Sequence, residues 1–336
     1  MRARPVAYIA GTGRAVPKHV MTNHDFAGIG IDTSHDWIVE RTGIHQRHIA
    51  RDGESLCSLA AEASRRAMAK AGVQAGELDA IVLGTASPDR LLPSTAVDVQ
   101  AELGASRAAA FDLSAACTGW VYGMNVAEGL MMSGVAQTVL VIGAEKLSGI
   151  VNWKDRNTCI LFGDGAGATV LKKTRPATLP GHAKGILGNF MRSDGQLAEL
   201  LWRPAGGGNI PMSAAVIDAG THFLTMAGRE VFKHAVRSMA ESCDRALDAA
   251  KLTAADIDLL IPHQANIRII EATAKHANIP MEKVFVNVDR YGNTSAASIP
   301  IALDEAIEQG RVKEGSTVLM VAFGAGFTWG SMVVRF

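Results

Sequence analysis

The sequence predicts an α/β protein built from two copies of one unit. Residues 66–84 and residues 245–263 lie 179 positions apart, and each reads as an Ala-rich helix, a short turn with an acidic residue and an apolar strand. A second helix follows in each half, ends at Gly134 or Gly310 and leads into a continuously apolar strand. Such strands are typical of sheets that are covered on both faces. Because the order of elements agrees across both pairs, duplication is the favoured interpretation.

The ends of the chain and its middle complete this outline. We read residues 6–10 as a first strand, with Gly11-Thr-Gly13 as the turn after it, and residues 284–288 as a later strand. The segment around residues 175–220 holds Gly206-Gly-Gly208 and several prolines, so it is predicted to be a loop-rich link. We therefore place one half at residues 1–175 and the other at residues 176–336.

Composition limits the class of protein. A chain of 336 residues corresponds to roughly two domains, and 48% hydrophobic with 20% charged residues is typical of a globular protein rather than a disordered one. Lysine and arginine total 33, as do aspartate and glutamate, so no net charge attracts nucleic acid or an anionic membrane. The 34 glycines exceed the usual share of about 7%, which indicates many tight turns and close backbone approaches.

Several further classes are excluded by local patterns. The chain has no apolar run near the roughly 18 residues that a membrane helix needs, and its first apolar stretch is too short for a signal peptide. Four cysteines with wide spacing fit neither a zinc site nor a disulfide scaffold. We expect a cytoplasmic protein that holds no metal and no bound cofactor.

Cys117 is the first candidate for chemistry. It follows an apolar strand and a turn of small residues, and it stands where a helix begins. The positive end of a helix dipole stabilises a thiolate, so this cysteine is a candidate nucleophile. The alternative is a buried cysteine that acts as a small hydrophobic residue. We assign that alternative to Cys57, Cys159 and Cys243.

Two polar residues occupy similar turns. His263 directly follows an apolar strand, and Asn293 precedes a helix that ends at Gly310. Seventeen residues separate Cys117 from Gly134 and Asn293 from Gly310, so the cysteine and the asparagine belong to equivalent turns of the two halves. A nucleophilic thiolate needs a partner, and an enolate needs hydrogen-bond donors that are fixed in advance. A core or capping histidine and an ordinary helix cap remain the alternatives.

At these residues the sequence resembles the β-ketoacyl-[acyl-carrier-protein] synthase III family of condensing enzymes. The motifs include Ser114-Ala-Ala-Cys117-Thr-Gly and Gly292-Asn293-Thr-Ser-Ala-Ala-Ser, and the matching blocks run through nearly the whole chain. These blocks are residues 37–47, 114–119, 162–167, 263–268, 287–298 and 323–331. The resemblance implies the thiolase fold, two α/β halves in a five-layer αβαβα arrangement, a homodimer, and an acyltransferase that initiates type II fatty acid synthesis.

The resemblance also implies a mechanism. Cys117 would attack a short acyl-CoA primer and release CoA. Malonyl-acyl-carrier protein would then lose CO2, and His263 Nε2 and Asn293 would stabilise the enolate before it attacks the acyl-cysteine. The backbone N–H groups of Cys117 and Ala325 would hold the oxyanion.

Binding roles follow from the same resemblance. Trp37 and Arg156 would sandwich the adenine of CoA, with Thr33 and Arg41 nearby. Residues implied along the rest of the CoA path are Gly228, Phe232 and Asn266. Basic residues implied for the carrier protein are Lys233, Arg268 and Lys275; ordinary solvated charge is the alternative. Residues implied for the acyl pocket are Phe323 and Leu92, the latter reaching across the dimer, where it would admit longer or branched primers.

Other activities remain open at this point. A relative in secondary metabolism that condenses or transfers polyketide or quinolone acyl groups would keep Cys117, His263 and Asn293. A protein that binds CoA or the carrier without catalysis is a second alternative. Thiolases place a second cysteine where this chain has Asn293, and no glutamate of the HMG-CoA synthase type can be placed. A cysteine peptidase is remote because of the CoA-type Trp and Arg segments.

Overall fold

The structure, a computed structural model, describes residues 6–174 and 184–336. Its strands are β1 (Ala7–Ala15), β2 (Val20–Thr22), β3 (Gln46–His48), β4 (Ala80–Gly84), β5 (Ala109–Leu113), β6 (Thr138–Glu145), β7 (Gly165–Lys173), β8 (Gly185–Ser193), β9 (Leu201–Trp202), β10 (Thr225–Met226), β11 (Leu259–Pro262), β12 (Thr317–Gly324) and β13 (Thr328–Arg335). Its helices are α1 (Asp25–Gly28), α2 (His35–Thr42), α3 (Leu56–Ala71), α4 (Thr95–Leu103), α5 (Gly119–Met132), α6 (Arg156–Cys159), α7 (Ala214–Ala219), α8 (Gly228–Ala250), α9 (Ile267–His276), α10 (Val288–Tyr291) and α11 (Ser298–Glu308).

Two mixed sheets form the centre of the molecule. The first has the strand order β1-β7-β6-β4-β5, and the second has the order β11-β12-β13-β8. In the first sheet β4 is parallel to β5 and β6, while β7 runs antiparallel to β6 and β1. In the second sheet β12 is parallel to β11 and antiparallel to β13. All strands of the first sheet precede residue 174 and all strands of the second follow residue 184.

Helices cover both sheets and fill the space between them. Helices α3 and α4 pack on the outer face of the first sheet, and α8 and α9 pack on the outer face of the second. Helices α5 and α11 lie between the sheets and contact strands of both. Nearly every residue of α11 is buried, as a central helix requires. The predicted five layers and the predicted burial of β6 and β12 on both faces are therefore confirmed.

The two halves repeat each other in detail. Asp79 N–H donates to the Thr138 carbonyl oxygen and Asp258 N–H donates to that of Thr317, each at 2.9 Å. The side chains of the two aspartates accept bonds back from the N–H groups of the same threonines, at 3.0 and 2.8 Å. The aspartates of the two contacts are 179 residues apart, and so are the threonines, which is the spacing found in the sequence.

Two local predictions need correction. Gly11 and Gly13 do not form a turn but lie within β1, where a Cβ would stand 2.4 Å and 2.3 Å from carbonyl oxygens of α3. Glycine is needed there because the strand packs directly against the helix backbone. Residues 284–288 form only a single bridge from Val284 to Leu260, and α10 begins at Val288.

The predicted link between the halves is less irregular than expected. Residues 185–193 form β8, an integral strand of the second sheet, and residues 214–219 form α7. Residues 175–183, which include the predicted boundary, lie outside the described residues.

In each half, the backbone of a glycine packs directly against the backbone of the other half. A Cβ on Gly143, near the end of β6, would lie 2.1 Å from the Ala296 carbonyl oxygen. A Cβ on Gly324, the last residue of β12, would lie 2.7 Å from the Cys117 backbone nitrogen. The turns that precede α5 and α11 are therefore seated on the strand ends of the opposite sheet.

Candidate active site

A cavity of about 140 Å³ brings the three predicted catalytic residues together. Cys117, His263 and Asn293 all line it, as do Ala325 and Phe323. The remaining walls are mostly apolar, which excludes water and strengthens the electrostatic interactions inside. The apolar lining residues are Ala116, Leu147, Leu161, Phe162, Leu201, Leu224, Met226, Val231, Phe232, Ala235, Met239, Ala265 and Ile269.

Cys117 occupies a 3₁₀ turn, Ala116–Thr118, directly before α5. Burial and the nearby Glu145 charge raise the pKa of its thiol to about 12, while a hydrogen bond from the Ser295 side chain acts in the opposite direction. Desolvation therefore opposes the thiolate that the helix dipole was expected to stabilise, and the resting group is a neutral thiol.

His263 is fixed from two sides. Its backbone N–H donates to the Val321 carbonyl oxygen at 2.8 Å, and its Nδ1 lies 2.6 Å from Ser298 Oγ. The Gln264 N–H donates to the same Oγ, and we assign the Ser298 hydroxyl hydrogen to Nδ1, which leaves the ring proton on Nε2. Burial lowers the pKa of His263 to about 4, so the ring is neutral at neutral pH. It can donate a hydrogen bond from Nε2.

Asn293 is oriented by its own turn. The Ser295 N–H donates to Asn293 Oδ1 at 2.9 Å, which identifies the oxygen and leaves Nδ2 as the donor toward the cavity. The Asn293 N–H donates to the Leu161 carbonyl oxygen at 2.8 Å, and its own carbonyl accepts from the Gly163 N–H at 3.1 Å. The site therefore presents two neutral donors, from His263 and Asn293, opposite a thiol.

Five of the seven predicted CoA-binding residues line the outer mouth of the cavity, whereas Thr33 and Arg156 do not. Trp37 and Arg41 line the mouth, and the guanidinium groups of Arg41 and Arg156 lie 4.5 and 4.7 Å from the centre of the Trp37 ring. Arg156 also donates to the Asp32 carbonyl oxygen at 2.7 Å. An adenine between Trp37 and Arg156 therefore requires the guanidinium to move away from the ring. The buried Thr33 hydroxyl oxygen makes no hydrogen bond to the described residues.

Three predicted residues join the mouth to the inner cavity. Gly228, Phe232 and Asn266 line both spaces. The Asn266 side chain is already engaged, since Nδ2 donates to the Arg41 carbonyl oxygen at 2.9 Å and Oδ1 caps α9 through the Arg268 N–H. Asn266 is therefore the N-cap residue of α9, and it lies beside the space that leads to Cys117.

The predicted carrier residues are only partly brought together. Lys233 and Arg268 line the mouth, where Arg229 joins them without having been predicted. Lys275 lies two helical turns further along α9 and does not line that space. Lys233 also pairs with Glu230 at 2.9 Å.

The two predicted acyl-pocket residues lie in different places. Phe323 is buried and packs against Phe327 at a ring separation of 4.7 Å, beside the cavity. Leu92 is 86% exposed and does not line the cavity of its own chain.

Sequence reasoning missed three polar residues around the trio. Ser298 orients His263, Ser295 orients Asn293 through its N–H, and Glu145 is completely buried behind Ser295. The two serines lie in the motif after Asn293 and were explained by helix-start chemistry alone. A carboxylate at the end of the otherwise apolar strand β6 was the signal for Glu145.

Two other kinds of site are absent from the described residues. Within residues 6–174 and 184–336 there is no group of three or more potential ligands that could hold a metal ion. None of the helices in those ranges is long and apolar enough to cross a membrane.

Comparison with known proteins identifies the family. Residues 111–195 match the 3-oxoacyl-[acyl-carrier-protein (ACP)] synthase III family, and residues 247–336 match its C-terminal counterpart. The chain is 50% identical over 329 residues to a β-ketoacyl-[acyl-carrier-protein] synthase III of Roseiflexus castenholzii, covering 98% of each protein.

Solved structures agree with that result. The 3-oxoacyl-[acyl-carrier-protein] synthase III of Aquifex aeolicus VF5 superimposes with a TM-score of 0.89 at 47% identity, over 98% of this chain and 100% of the other. The priming β-ketosynthase of the R1128 polyketide biosynthetic pathway gives a TM-score of 0.89 at 32% identity, over 100% of this chain and 98% of the other. The expected thiolase fold is confirmed, and the chain belongs to the β-ketoacyl-[acyl-carrier-protein] synthase III family of acyltransferase condensing enzymes.

Proposed function

We propose that the chain condenses a short acyl-CoA primer with malonyl-acyl-carrier protein and so initiates type II fatty acid synthesis. The observation that carries this proposal is the arrangement of Cys117 opposite the Nε2 of His263 and the Nδ2 of Asn293 in one apolar cavity. A nucleophile supports acyl transfer, and two neutral donors support an enolate.

The reaction proceeds in two halves at this site. Cys117 Sγ loses its thiol proton as it attacks the thioester carbonyl of the primer, and the CoA sulfur leaves with its electron pair and takes up a proton, so that CoA is released as a thiol. Malonyl-acyl-carrier protein then binds, its C–C bond to the carboxylate breaks, and the electrons move to the thioester oxygen. His263 and Asn293 hold that oxygen. The enolate carbon attacks the acyl-cysteine carbonyl and restores the thiolate of Cys117, while the Ala325 and Cys117 N–H groups hold the oxyanion.

The apolar walls favour this chemistry. Loss of CO2 disperses charge, so a cavity with few polar groups lowers the cost of the step relative to water. Neutral His263 is suited to it, because a proton on Nε2 stabilises the enolate oxygen without transferring to the carbon that must react.

The chain is proposed to act as a homodimer through β5. This strand forms the edge of the first sheet, and Phe111 on it is 36% exposed. The Thr95 N–H donates to Asp112 of β5 at 2.8 Å, which ties the loop carrying exposed Leu91 and Leu92 to that edge. An unpaired edge beside exposed apolar side chains is suited to a second copy, and Leu92 would then enter the partner's acyl pocket. Light scattering should give twice 35.4 kDa.

The direct test of function is intact-mass spectrometry after incubation with a panel of acyl-CoAs. The wild-type chain should gain one acyl group on Cys117 and release one CoA per site. The acylated chain should then form a 3-oxoacyl product with malonyl-acyl-carrier protein. If no acyl-CoA in the panel modifies Cys117, the proposal is wrong. Preference for acetyl-CoA over isobutyryl- and hexanoyl-CoA in kcat/KM would contradict the role proposed for Leu92.

Priming of a polyketide pathway is the second candidate function. It is favoured by the match to the priming β-ketosynthase over the full chain. Competition between malonyl-loaded carriers of fatty acid and polyketide synthesis distinguishes the two, because the better substrate identifies the pathway.

A reducing, cytoplasmic location agrees with four cysteines that form no disulfide.

A further inference from the structure

Glu145 is a completely buried carboxylate for which the mechanism above has no use. It is the last residue of β6, and no cation pairs with it in the part of the chain that the structure describes. Burying an unpaired carboxylate is costly unless other groups donate hydrogen bonds to it. A carboxylate kept in this place, at the end of an apolar strand and beside the active site, is a candidate for a role in the reaction.

The donors to this carboxylate come from both halves of the chain. Its Oε2 accepts from Thr85 Oγ1 at 3.2 Å, from the Ala86 N–H at 3.1 Å and from Ser87 Oγ. Its Oε1 accepts from Ser295 Oγ at 2.9 Å. The first three donors belong to the same half as Glu145, whereas Ser295 belongs to the other half. One carboxylate oxygen is therefore anchored in the first half, and the other holds a residue of the second.

Ser295 is also the residue that orients Asn293. Its hydroxyl donates to Glu145 Oε1, while its backbone N–H donates to Asn293 Oδ1 at 2.9 Å. The φ of Ser295 is 46°, in the left-handed region that residues other than glycine rarely adopt. Because both bonds start from this one residue, a shift of Ser295 would also move the N–H that orients the amide. Glu145 is thus connected to the Asn293 Nδ2 donor through a single residue.

The equivalent contact of the duplicated fold has no hydrogen bond of this kind. Gly324 and Ala116 lie 179 residues from Glu145 and Ser295, respectively, at the same places in their strand and turn. Ala116 has nearly the same backbone conformation, with a φ of 45°, although neither it nor Gly324 has a polar side chain. The backbone of such a turn therefore forms without the bond. The bond is present where the turn carries an amide, that of Asn293, which must be oriented.

We propose that Glu145 is a positioning residue for Asn293, which acts across the two halves by fixing Ser295. In this role it contacts no substrate and transfers no proton. It holds the Ser295 turn so that Asn293 Nδ2 is aimed at the enolate oxygen before CO2 is lost, and a donor that is fixed in advance lowers the barrier of that step. This inference rests on the decarboxylation that the proposed function assigns to the site.

The first test is Glu145→Gln, followed separately in the two half-reactions. The variant replaces one acceptor oxygen by an NH2 group, so either Ser295 or the donors of the first half lose their acceptor. Decarboxylation of malonyl-acyl-carrier protein, measured as CO2 release, should fall about tenfold in kcat with little change in KM, because the substrate still binds while one donor is misaligned. Acylation of Cys117, measured as CoA release, should be unchanged or faster, since the Glu145 charge raises the pKa of that thiol.

Ser295→Ala breaks the same connection from its other end. An alanine already adopts this backbone conformation at position 116, so the variant removes the hydroxyl and keeps the N–H that reaches Asn293. Decarboxylation should again fall about tenfold in kcat. If both variants release CO2 within about twofold of the wild-type rate, or if both lose acylation and decarboxylation equally, Glu145 does not position Asn293.

A double-mutant cycle separates positioning from a general loss of stability. The amide is already gone in Asn293→Ala, so adding Ser295→Ala to it should change CO2 release by less than about twofold. A further loss of about tenfold in the double variant would show that Ser295 acts independently of Asn293, and would overturn the proposal. Absence of acylation in wild type would instead remove the proposed function itself.

Asp164→Asn is the matched control. Asp164 is also a completely buried carboxylate of the first half, and it accepts from the Ser148 hydroxyl at 2.6 Å and the Ala50 N–H at 2.7 Å. Its neutralisation should leave CO2 release within about twofold of the wild-type rate. A loss of about tenfold, equal to that of Glu145→Gln, would show that removal of any buried carboxylate has this effect, and would contradict the positioning role.

Discussion

The turns before α5 and α11 have the same backbone conformation but carry different functional groups. Each is a 3₁₀ turn opened by a residue with positive φ, 45° at Ala116 and 46° at Ser295, and each leads into a central helix. At the strand ends beside them, Gly84 of the first half corresponds to His263 of the second. The backbone of Gly84 packs directly against the backbone of Gly119, whereas the His263 side chain is hydrogen-bonded to Ser298.

The difference shows how a duplicated fold divides a reaction. The first half presents a single reactive atom, the sulfur of Cys117, in a space cleared by glycines. The second half fills the corresponding positions with donors and the groups that orient them. The variants below are designed to disturb one side of this division at a time.

Removal of the nucleophile should have the largest effect. Cys117→Ala should lower condensation by about 10⁴-fold or more, because no other group in the cavity can form the acyl intermediate. Intact mass should show no acyl adduct. Cys57→Ala, which changes a free cysteine on α3, should be acylated as wild type. An adduct on the Cys117→Ala chain would contradict the division.

Changes to the donors should separate the two half-reactions. His263→Ala or Asn293→Ala should slow decarboxylation of malonyl-acyl-carrier protein by about 10²–10³-fold, since each removes one donor to the enolate oxygen. Acylation of Cys117 by acyl-CoA should fall by less than about tenfold. The two rates are measured separately as CO2 release and CoA release. Equal loss in both would show that the second half also serves the nucleophile directly.

The packing of one half on the other predicts a smaller effect. In Gly324→Ala the new Cβ would press on the Cys117 nitrogen, which should cost about 1–3 kcal/mol and slow acylation about tenfold or more. Thermal unfolding and CoA release report the two effects. Gly129→Ala is the control, since nothing lies within 4 Å of its Cβ and helix α5 should gain up to about 1 kcal/mol. If Gly324→Ala changed neither thermal unfolding nor CoA release, the close contact between Gly324 and the Cys117 nitrogen would be disproved.

Loss of the group that orients His263 should have the smallest effect. Ser298→Ala removes the partner of Nδ1, which costs about 1–1.5 kcal/mol and should slow decarboxylation about tenfold, with acylation little changed. Ser64→Ala removes another buried hydroxyl, one that donates to the Ala60 carbonyl oxygen of its own helix. If both variants lose decarboxylation equally, stability rather than orientation explains the loss.

Much of this arrangement could be predicted from the sequence, because it depends on order along the chain. Helix, acidic turn and apolar strand recur at a fixed spacing, and Cys117, His263 and Asn293 each follow an apolar segment. The equivalence was imprecise by a few residues, since Ser295 rather than Asn293 matches the first residue of the Cys117 turn.

Contacts between elements that are distant in the sequence could not be predicted, because they depend on how helices and strands pack against one another. Gly11 and Gly13 resemble a turn until α3 is seen against them. Glu145 reads as the polar end of a strand until Ser295 is seen on the opposite side, 150 residues away. Burial likewise reversed the expected state of Cys117, a property that spacing alone does not carry.

The turns before α5 and α11 each pack on a strand end of the opposite half, and this limits how the sequence can change. Gly143 accommodates Ala296 and Gly324 accommodates Cys117, so a mutation at either glycine is felt in the other copy. Neither half can therefore change at these positions without disturbing the reactive turn of the other. A single half expressed alone would lack the surface on which its own reactive turn is built, so the smallest heritable unit of this activity is the pair.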